Sequence, residues 1–250
     1  MLILLCFHIP CLVHANPSST FTQDATEQFQ IVQQELGKFR DENYHRLRMY
    51  EEKKPSQSLS PQERKKKKEY RFLLEKYYFW NLAADLKKDL IKTFEETKSS
   101  LPNPPPNGGG DAPKAPTQNE ESLEFECNHL AIILIGEIQK LQKEYKINTF
   151  PTIHNVLIAI KIKKRGACKH WAEDLLTKLE KEPRTFFDIY WGQAHAATVR
   201  EHNVAVLVPR GQVFKKGLVI DPWRTAGKPF WIPVSEDHYP WESWEGYLPR

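Results

Sequence analysis

Cysteine is scarce in this sequence, and long apolar segments are missing. Four cysteines occur among 250 residues, and together with the histidines they do not stand at the spacings of a zinc site. The apolar run at residues 2–6 is far too short to cross a bilayer as a helix. No internal repeat is evident. The sequence therefore predicts no metal, no cofactor and no transmembrane segment.

Charge of one sign does not dominate either. The formal net charge is +4, a modest value that does not demand a nucleic-acid partner. One dense basic cluster, at residues 64–68, is better interpreted as the solvated start of a helix than as a binding patch. We therefore predict no nucleic-acid partner.

The first 15 residues contain no Lys, Arg, Asp or Glu. The apolar run is followed by Val13, His14 and Ala15. The small residues of this triplet, Val13 and Ala15, have the spacing of a cleavage site. Residues 1–15 are interpreted as a signal peptide that lacks the usual basic start, and we expect a secreted or periplasmic protein. The alternatives are a mis-assigned start codon and a buried apolar tail.

Removal of such a signal leaves two thiols, Cys127 and Cys168. In an oxidising compartment these two could simply form one disulfide. The residues around Cys168 favour a reactive thiol there instead. Cys127 lies inside an apolar helical pattern and is predicted to be a small buried hydrophobe.

Prolines and glycines mark the clearest boundary, at residues 101–120. Such a segment neither continues a helix nor builds a core, so we predict a linker. It separates a helical region at residues 16–100 from a C-terminal domain at residues 121–250. Apolar residues recur at spacings of three and four around residues 29–39, and again over residues 62–98. Two helices in this order predict an antiparallel helical hairpin.

The C-terminal domain changes character along its length. Helical patterns cover residues 123–145, 153–164 and 168–179. Strand-like runs follow at residues 186–191, 204–208, 213–214 and 218–220. Helices first and strands afterwards predict the α+β class.

Cys168 stands at the start of the third of these helices. Unpaired N–H groups and the helix dipole at such a position stabilise a thiolate, and basic residues crowd residues 161–169. Gly166 and Ala167 are small enough to bring a substrate backbone near the sulfur. The backbone N–H of Cys168 is then a donor to an oxyanion. The second donor stays open among Gln193, Asn155, Trp171 and Trp191.

The base must be a histidine that reaches the sulfur. His202 begins an apolar run that predicts a strand, and Asp221 ends the next such run. If Val208 faces Val213 across a tight turn, Asp221 lies opposite Arg200, and His202 is a diagonal neighbour on the same face. A slip of two residues puts Asp221 directly across from His202, whereas a slip of one puts them on opposite faces.

Other residues fit these roles less well. His170 lies two residues along the helix of Cys168 and is expected to point away from it. His195 lies in a predicted turn, and His238 lies in a polar, proline-containing tail. Asp188 is the nearest competing acid.

The pattern resembles the bacterial type of the transglutaminase-like superfamily of papain-like cysteine enzymes. Gly166, Cys168 and Ala172 match its Gly-x-Cys-x-x-x-Ala helix start, and His202 and the Asp221-Pro222 pair match its later strands. The resemblance covers roughly residues 123–240. It implies a cysteine-bearing helix packed on an antiparallel sheet, and acyl transfer from an amide through a thioester.

Four positions depart from that family pattern. Ala167 and Lys169 stand where the animal enzymes have Gln and Trp. Val204 and Val206 stand where many bacterial members have Trp and an acid. Fold and triad are therefore expected to transfer better than the substrate.

We therefore predict an exported thiol enzyme that acts on a peptide or protein amide, with the cell envelope as a candidate source of substrate. Cys168 is the nucleophile, His202 the general base and acid, and Asp221 the orienting acid. Hydrolysis by a peptidase, amidase or deamidase is favoured over cross-linking. The predicted substrate-binding residues are Trp223, Arg224, Trp191 and Gln193. The alternative is an inert envelope scaffold or binding protein of the same fold, whose N-terminal helices recruit a protein partner.

Overall fold

A computed structural model describes residues 20–42, 59–98, 118–147, 149–244 and 246. The predicted signal peptide at residues 1–15 lies outside the described residues, as do residues 101–117 of the predicted linker. Residues 118–120, the last three of that linker, are instead helical.

The described residues form five α-helices and a five-stranded antiparallel sheet, which confirms the predicted α+β class. No helix among them is both long and apolar enough to cross a membrane. The helices are α1 (Thr20–Glu42), α2 (Pro61–Lys98), α3 (Gln118–Glu144), α4 (Pro151–Ala159) and α5 (Cys168–Glu180). The strands are β1 (Phe187–Ala194), β2 (His202–Pro209), β3 (Leu218–Ile220), β4 (Trp231–Pro233) and β5 (Glu242–Ser243).

The strands lie in the order β4-β3-β2-β1-β5, and every neighbouring pair is antiparallel. β2 is the central strand, and all eight of its residues are buried because helices cover one face, while Val234, Tyr239 and Trp241 of the aromatic-rich C-terminal tail pack against the other. The predicted strand at residues 213–214 is wrong. Val213 precedes a 3₁₀ turn, Phe214–Lys216, that lengthens the connection from β2 to β3.

α1 and α2 run antiparallel. Phe39 stacks on Tyr70 and Phe29 stacks on Tyr77, with ring centroids 5.4 and 5.9 Å apart. Leu36 and Leu73 are buried between the same two helices. This small cluster buries the apolar stripes that the sequence places on one face of each helix.

The C-terminal half of α2 does not belong to a separate helical region, and here the predicted division needs correction. Ala83, Leu86 and Leu90 lie in the main core together with residues of α3, α5 and the sheet. A helix that is apolar at these positions must bury them, and α3 and the sheet offer the larger apolar surface. The segment at residues 101–117 therefore joins two parts of one core.

α5 packs its apolar face on the sheet. Trp171, Leu175, Leu176 and Leu179 are buried, and each buried Leu contributes about 1.5–3 kcal/mol by removal from water. α5 lies against β1 and β2. This packing fixes the helix whose first residue is Cys168.

Candidate active site

The turn before Cys168 is built around Gly166. Its φ of +115° lies in a region that side chains rarely adopt, and a Cβ there would stand 2.5 Å from Nε2 of His154. His154 is buried and donates from Nε2 to the carbonyl of Arg165 at 3.0 Å, if that nitrogen carries the proton. A glycine is therefore required two residues before the cysteine.

His170 closes the start of α5. Its Nδ1 accepts hydrogen bonds from the backbone N–H groups of Gly166 (3.1 Å) and Ala167 (3.2 Å). Burial lowers the pKa of His170, and the charges of Arg165 and Lys169 lower it further, so the neutral ring that accepts these bonds is favoured. His170 is therefore a helix cap, in agreement with the expectation that it does not serve Cys168.

Arg165 anchors the same turn from the outside. It donates to Glu173 at 2.8 Å and to Asp174 at 2.7 Å, and Tyr145 also donates to Asp174. Both acids lie in α5. The turn and the helix are thus tied together on both sides of Cys168.

The register of β2 and β3 differs from the predicted one. Ala205 lies opposite Ile220, so Asp221, one residue beyond the ladder, falls opposite Val204 rather than Arg200. The reason is the longer connection that contains the 3₁₀ turn. The difference is four residues, an even number, so His202 and Asp221 remain diagonal neighbours on one face.

His202 and Asp221 form a buried pair. His202 Nε2 lies 2.7 Å from Oδ2 of Asp221, and the two residues are 2% and 1% exposed. Nδ1 of the ring makes no regular hydrogen bond within the described residues. That nitrogen is therefore the one available to exchange a proton with another group.

Cys168 is the other group that acts on the His202 ring. Burial lowers the pKa of His202, but its hydrogen bond to Asp221 and its interaction with Cys168, with the charges of both, outweigh burial and raise the pKa to about 9. Cys168, at the N-terminus of α5, is 8% exposed. The structure thus brings together the three residues predicted as catalytic.

Three aromatic rings surround His202. The ring centroids of Trp223, Tyr239 and Trp241 lie 4.6, 5.1 and 5.3 Å from that of the imidazole. Trp223 also donates from Nε1 to Asn155 at 3.3 Å. Tyr239 and Trp241 were not predicted as site residues, because an aromatic-rich tail carries no spacing signal that separates a site from general burial.

Arg224, predicted to bind substrate, is bonded to two acids, Asp221 and Asp237. It donates from Nε to Asp221 at 3.0 Å, and its other two nitrogens bind Asp237 at 3.1 and 2.7 Å. Trp241 adds a 2.8 Å bond to Asp237. Asp237 was missed entirely, since no motif spacing connects it with residue 221.

The other predicted substrate residues lie along β1. Trp191 donates from Nε1 to Asn203 at 2.7 Å. Gln193, together with His195, Glu242 and Trp244, lines a pocket of about 610 Å³ at the sheet edge between β1 and β5. Because Ala194 lies opposite His202 in the ladder, this pocket is next to the end of β2 that carries His202.

Both cysteines in the described residues are free, so they form no disulfide with each other. Burial raises the pKa of the Cys127 thiol, which keeps it protonated. Across the described ranges, no group of three or more His, Cys, Asp or Glu residues is arranged to hold a metal ion. The two thiols therefore stand in very different surroundings.

The arrangement offers a nucleophile at a helix start, an imidazole with one free nitrogen, and a buried carboxylate that fixes the other nitrogen. It was assembled from α5, β2 and the end of β3. In comparisons with known proteins, no family model, no curated protein and no solved structure matches this chain.

Proposed function

We propose that this protein is a thiol enzyme that cleaves amide bonds by acyl transfer through a thioester on Cys168. The observation that carries the proposal is the position of His202, whose Nε2 is held by Asp221 at 2.7 Å while Cys168 interacts with the same ring. A structural histidine needs neither a buried carboxylate nor a neighbouring thiol.

The raised pKa of His202 makes its imidazole a stronger base, which takes the proton of the Cys168 thiol as the sulfur attacks. The sulfur attacks the amide carbonyl carbon, and the oxyanion is stabilised by N–H groups at the start of α5, including that of Cys168. The C–N bond breaks as His202 gives its proton to the leaving nitrogen. The neutral imidazole then takes a proton from water as the water attacks the thioester, which releases the acid and restores the thiol.

The transglutaminase-like architecture is part of the same proposal. Its support is the order of elements: the cysteine starts a helix, the histidine starts the strand that this helix covers, and the aspartate directly follows the next strand. Val204 and Val206, where many bacterial members of that family have Trp and an acid, are buried. We therefore assign the substrate only as a peptide or protein amide, with hydrolysis favoured over cross-linking.

Export to the periplasm or the medium remains the proposed location, on the strength of residues 1–15. A thiol enzyme in such a compartment needs a cysteine without a disulfide partner, and Cys168 is free.

A second candidate function is supported by the closure of the site. Cys168, His202 and Asp221 are all buried, and Trp223, Tyr239 and Trp241 enclose the imidazole. A substrate that contacts the imidazole must displace part of this aromatic cover. A scaffold protein that retains the fold without turnover would keep such a closed site.

Alkylation separates the two functions. Iodoacetamide is added to the folded full chain at pH 6, where a cysteine of ordinary pKa is well under about 1% thiolate. We expect Cys168 to react roughly tenfold faster or more than free cysteine, because the neighbouring His202 can take up the thiol proton. The site of modification is read by peptide mass.

Two variants serve as controls. Cys168→Ser should abolish the fast reaction and leave the fold intact, while Cys127→Ser should keep it, since Cys127 lies in the core. Release of amine from a peptide library is then measured for both. If Cys168 reacts no faster than free cysteine and no peptide is cleaved, the enzyme proposal fails and the scaffold is favoured.

A further inference from the structure

α4 and the turn after it expose a row of apolar side chains. We define the α4 ridge as the five large apolar residues in this region that are 50–75% exposed: Phe150, Ile153, Val156, Ile160 and Ile162. The first four are spaced by three, three and four positions, so they lie on one face of the helix. Large apolar side chains grouped in this way on a surface mark an interaction site.

The orientation of the ridge is fixed by the opposite face of α4. His154 is buried there, and Asn155 accepts the hydrogen bond from Trp223 beside the candidate site. The predicted helix at residues 153–164 ends early, at Ala159, and Lys161 adopts a φ of +62°. The chain therefore turns after α4 and places Ile162 beyond the helix end.

The chain segment that carries the ridge contains basic residues but no acidic ones. Between Glu144 and Glu173 the chain contains five lysines and one arginine but no Asp or Glu. Lys163 donates to the carbonyl of Lys146 at 3.2 Å, which brings the two ends of this segment together. Lys161 and Lys164 flank it and are exposed.

Within the described part of the chain no ion pair links Lys146, Lys161, Lys163 or Lys164 to an acid, whereas Arg165 is paired with Glu173 and Asp174. A row of apolar side chains beside unpaired lysines is complementary to a surface that has negative charges at its outside and an apolar layer beneath them. A second copy of the chain would bring the same cations against each other, which is unfavourable.

We propose that the α4 ridge binds the surface of an anionic lipid bilayer. The five apolar side chains enter the boundary between headgroups and acyl chains, while Lys146, Lys161, Lys163 and Lys164 contact lipid phosphates. The ridge projects outward and does not line the pocket between β1 and β5. A projecting row suits a fluid surface, whereas a peptide is normally bound in a groove.

This peripheral binding is independent of the proposed chemistry. Because residues 160–167 connect α4 to Cys168, the bound protein would hold the turn of the candidate site near the lipid headgroups. The Cys168→Ser variant is expected to bind lipid as well as the unchanged protein.

The test is co-sedimentation with vesicles of phosphatidylcholine, with and without phosphatidylglycerol. We expect binding only when phosphatidylglycerol is present, with weaker binding as salt is raised. The variant K161Q/K163Q/K164Q should bind about 100-fold more weakly, because each lysine near an anionic surface makes a similar contribution to the affinity and three are removed. The variant I153S/V156S/I160S should lose about tenfold or more.

Matched controls come from other exposed positions. K215Q/K216Q/K228Q removes the same number of charges away from the ridge, and V199S/V213S removes two exposed valines. Both controls should bind like the unchanged protein. All measurements are repeated on a chain that begins at Asn16, because residues 2–6 are apolar and could bind lipid by themselves.

Three results would overturn the proposal. One is no binding to anionic vesicles at low salt. Another is an equal loss in the control lysine variant, which would indicate non-specific charge attraction. The third is that ridge variants leave vesicle binding unchanged but abolish self-association in sedimentation, or abolish capture of an acidic peptide, which would assign the ridge to a protein partner.

Discussion

Arg224 and Asp237 form a two-point ion pair, with nitrogen–oxygen distances of 3.1 and 2.7 Å. The same guanidinium donates to Asp221 at 3.0 Å. Burial raises the pKa of Asp237, but the bonds from Arg224 and Trp241 lower it overall, so the acid is ionised. The carboxylate that holds His202 is therefore itself held by a cation whose position a second acid fixes.

Replacement of this cation should be costly for stability. Arg224→Met leaves two buried carboxylates, Asp221 and Asp237, without their shared partner, and we expect a loss of about 3–5 kcal/mol in the free energy of unfolding. Arg210→Met is the matched control, since Arg210 pairs with Asp188 at the surface and should cost about 0–1 kcal/mol. Urea unfolding of both variants measures the difference, and equal losses would contradict a structural role for Arg224.

The orienting acid can be tested against its nearest competitor. Asp221→Asn keeps the shape of the side chain but not the charge that stabilises the imidazolium, and the same change in a serine-enzyme triad costs about 10⁴-fold in rate. Asp188→Asn should have little effect, because Asp188 binds Arg210 and not His202. Cys168 alkylation against pH is measured for both, together with turnover once a substrate is known. A slow Asp188→Asn variant beside a normal Asp221→Asn variant would show that the acid is misassigned.

Stability should depend on pH through His202. Its pKa is about 9 in the folded chain against an ordinary value of 6.5, so between these pH values the folded chain binds a proton that the unfolded chain releases. The contribution is fully present below pH 6.5 and is lost as pH rises through about 9. His202→Gln should flatten this part of the pH profile, whereas His195→Gln, at an exposed position, should not. The free energy of unfolding is measured by chemical denaturation at several pH values. If its pH dependence in His202→Gln is the same as in the unchanged protein, the raised pKa of His202 is refuted.

Gly166 gives a test of the turn that carries the nucleophile. Gly166→Ala places a methyl group 2.5 Å from His154 at a positive φ, so we expect a loss of about 1–3 kcal/mol and slower alkylation of Cys168. Gly37→Ala is the control, because nothing lies within 4 Å of that position and helix α1 should gain up to about 1 kcal/mol. Thermal unfolding and iodoacetamide kinetics are compared; a Gly166→Ala variant that matches wild type in both would exclude a strained turn.

The candidate triad was predictable because each member stands at the end of a strong pattern. Cys168 opens an amphipathic helix, and His202 and Asp221 bound two apolar runs, so the elements fix the side chains once their face is known. The register was not predictable, since residues 210–217 form no simple turn. Only its even offset kept His202 and Asp221 on one face.

The residues that surround the triad could not be predicted from the sequence, for a different reason. β4 and β5 are three and two residues long and lie in a segment rich in Trp and Pro, so they carry no alternation that predicts a strand. Asp237 and Tyr239 reach the site only because this tail folds back across the sheet. Likewise, the periodicity of α2 predicts a buried face but not which partner buries it.

The membership of α2 in the main core has a consequence for how the protein is made. Trp231 donates to Asp89 at 2.8 Å across 142 positions of chain, and the core that contains Leu86 and Leu90 also contains Leu218 and Ile220 of β3. At roughly 5–20 residues per second, the apolar stripe of α2 leaves the ribosome some ten seconds before its cover is complete. During that interval the nascent chain exposes a long helix with an uncovered apolar face. Chaperone supply during translation, more than the finished fold's stability, is therefore expected to set how much intact protein a cell obtains.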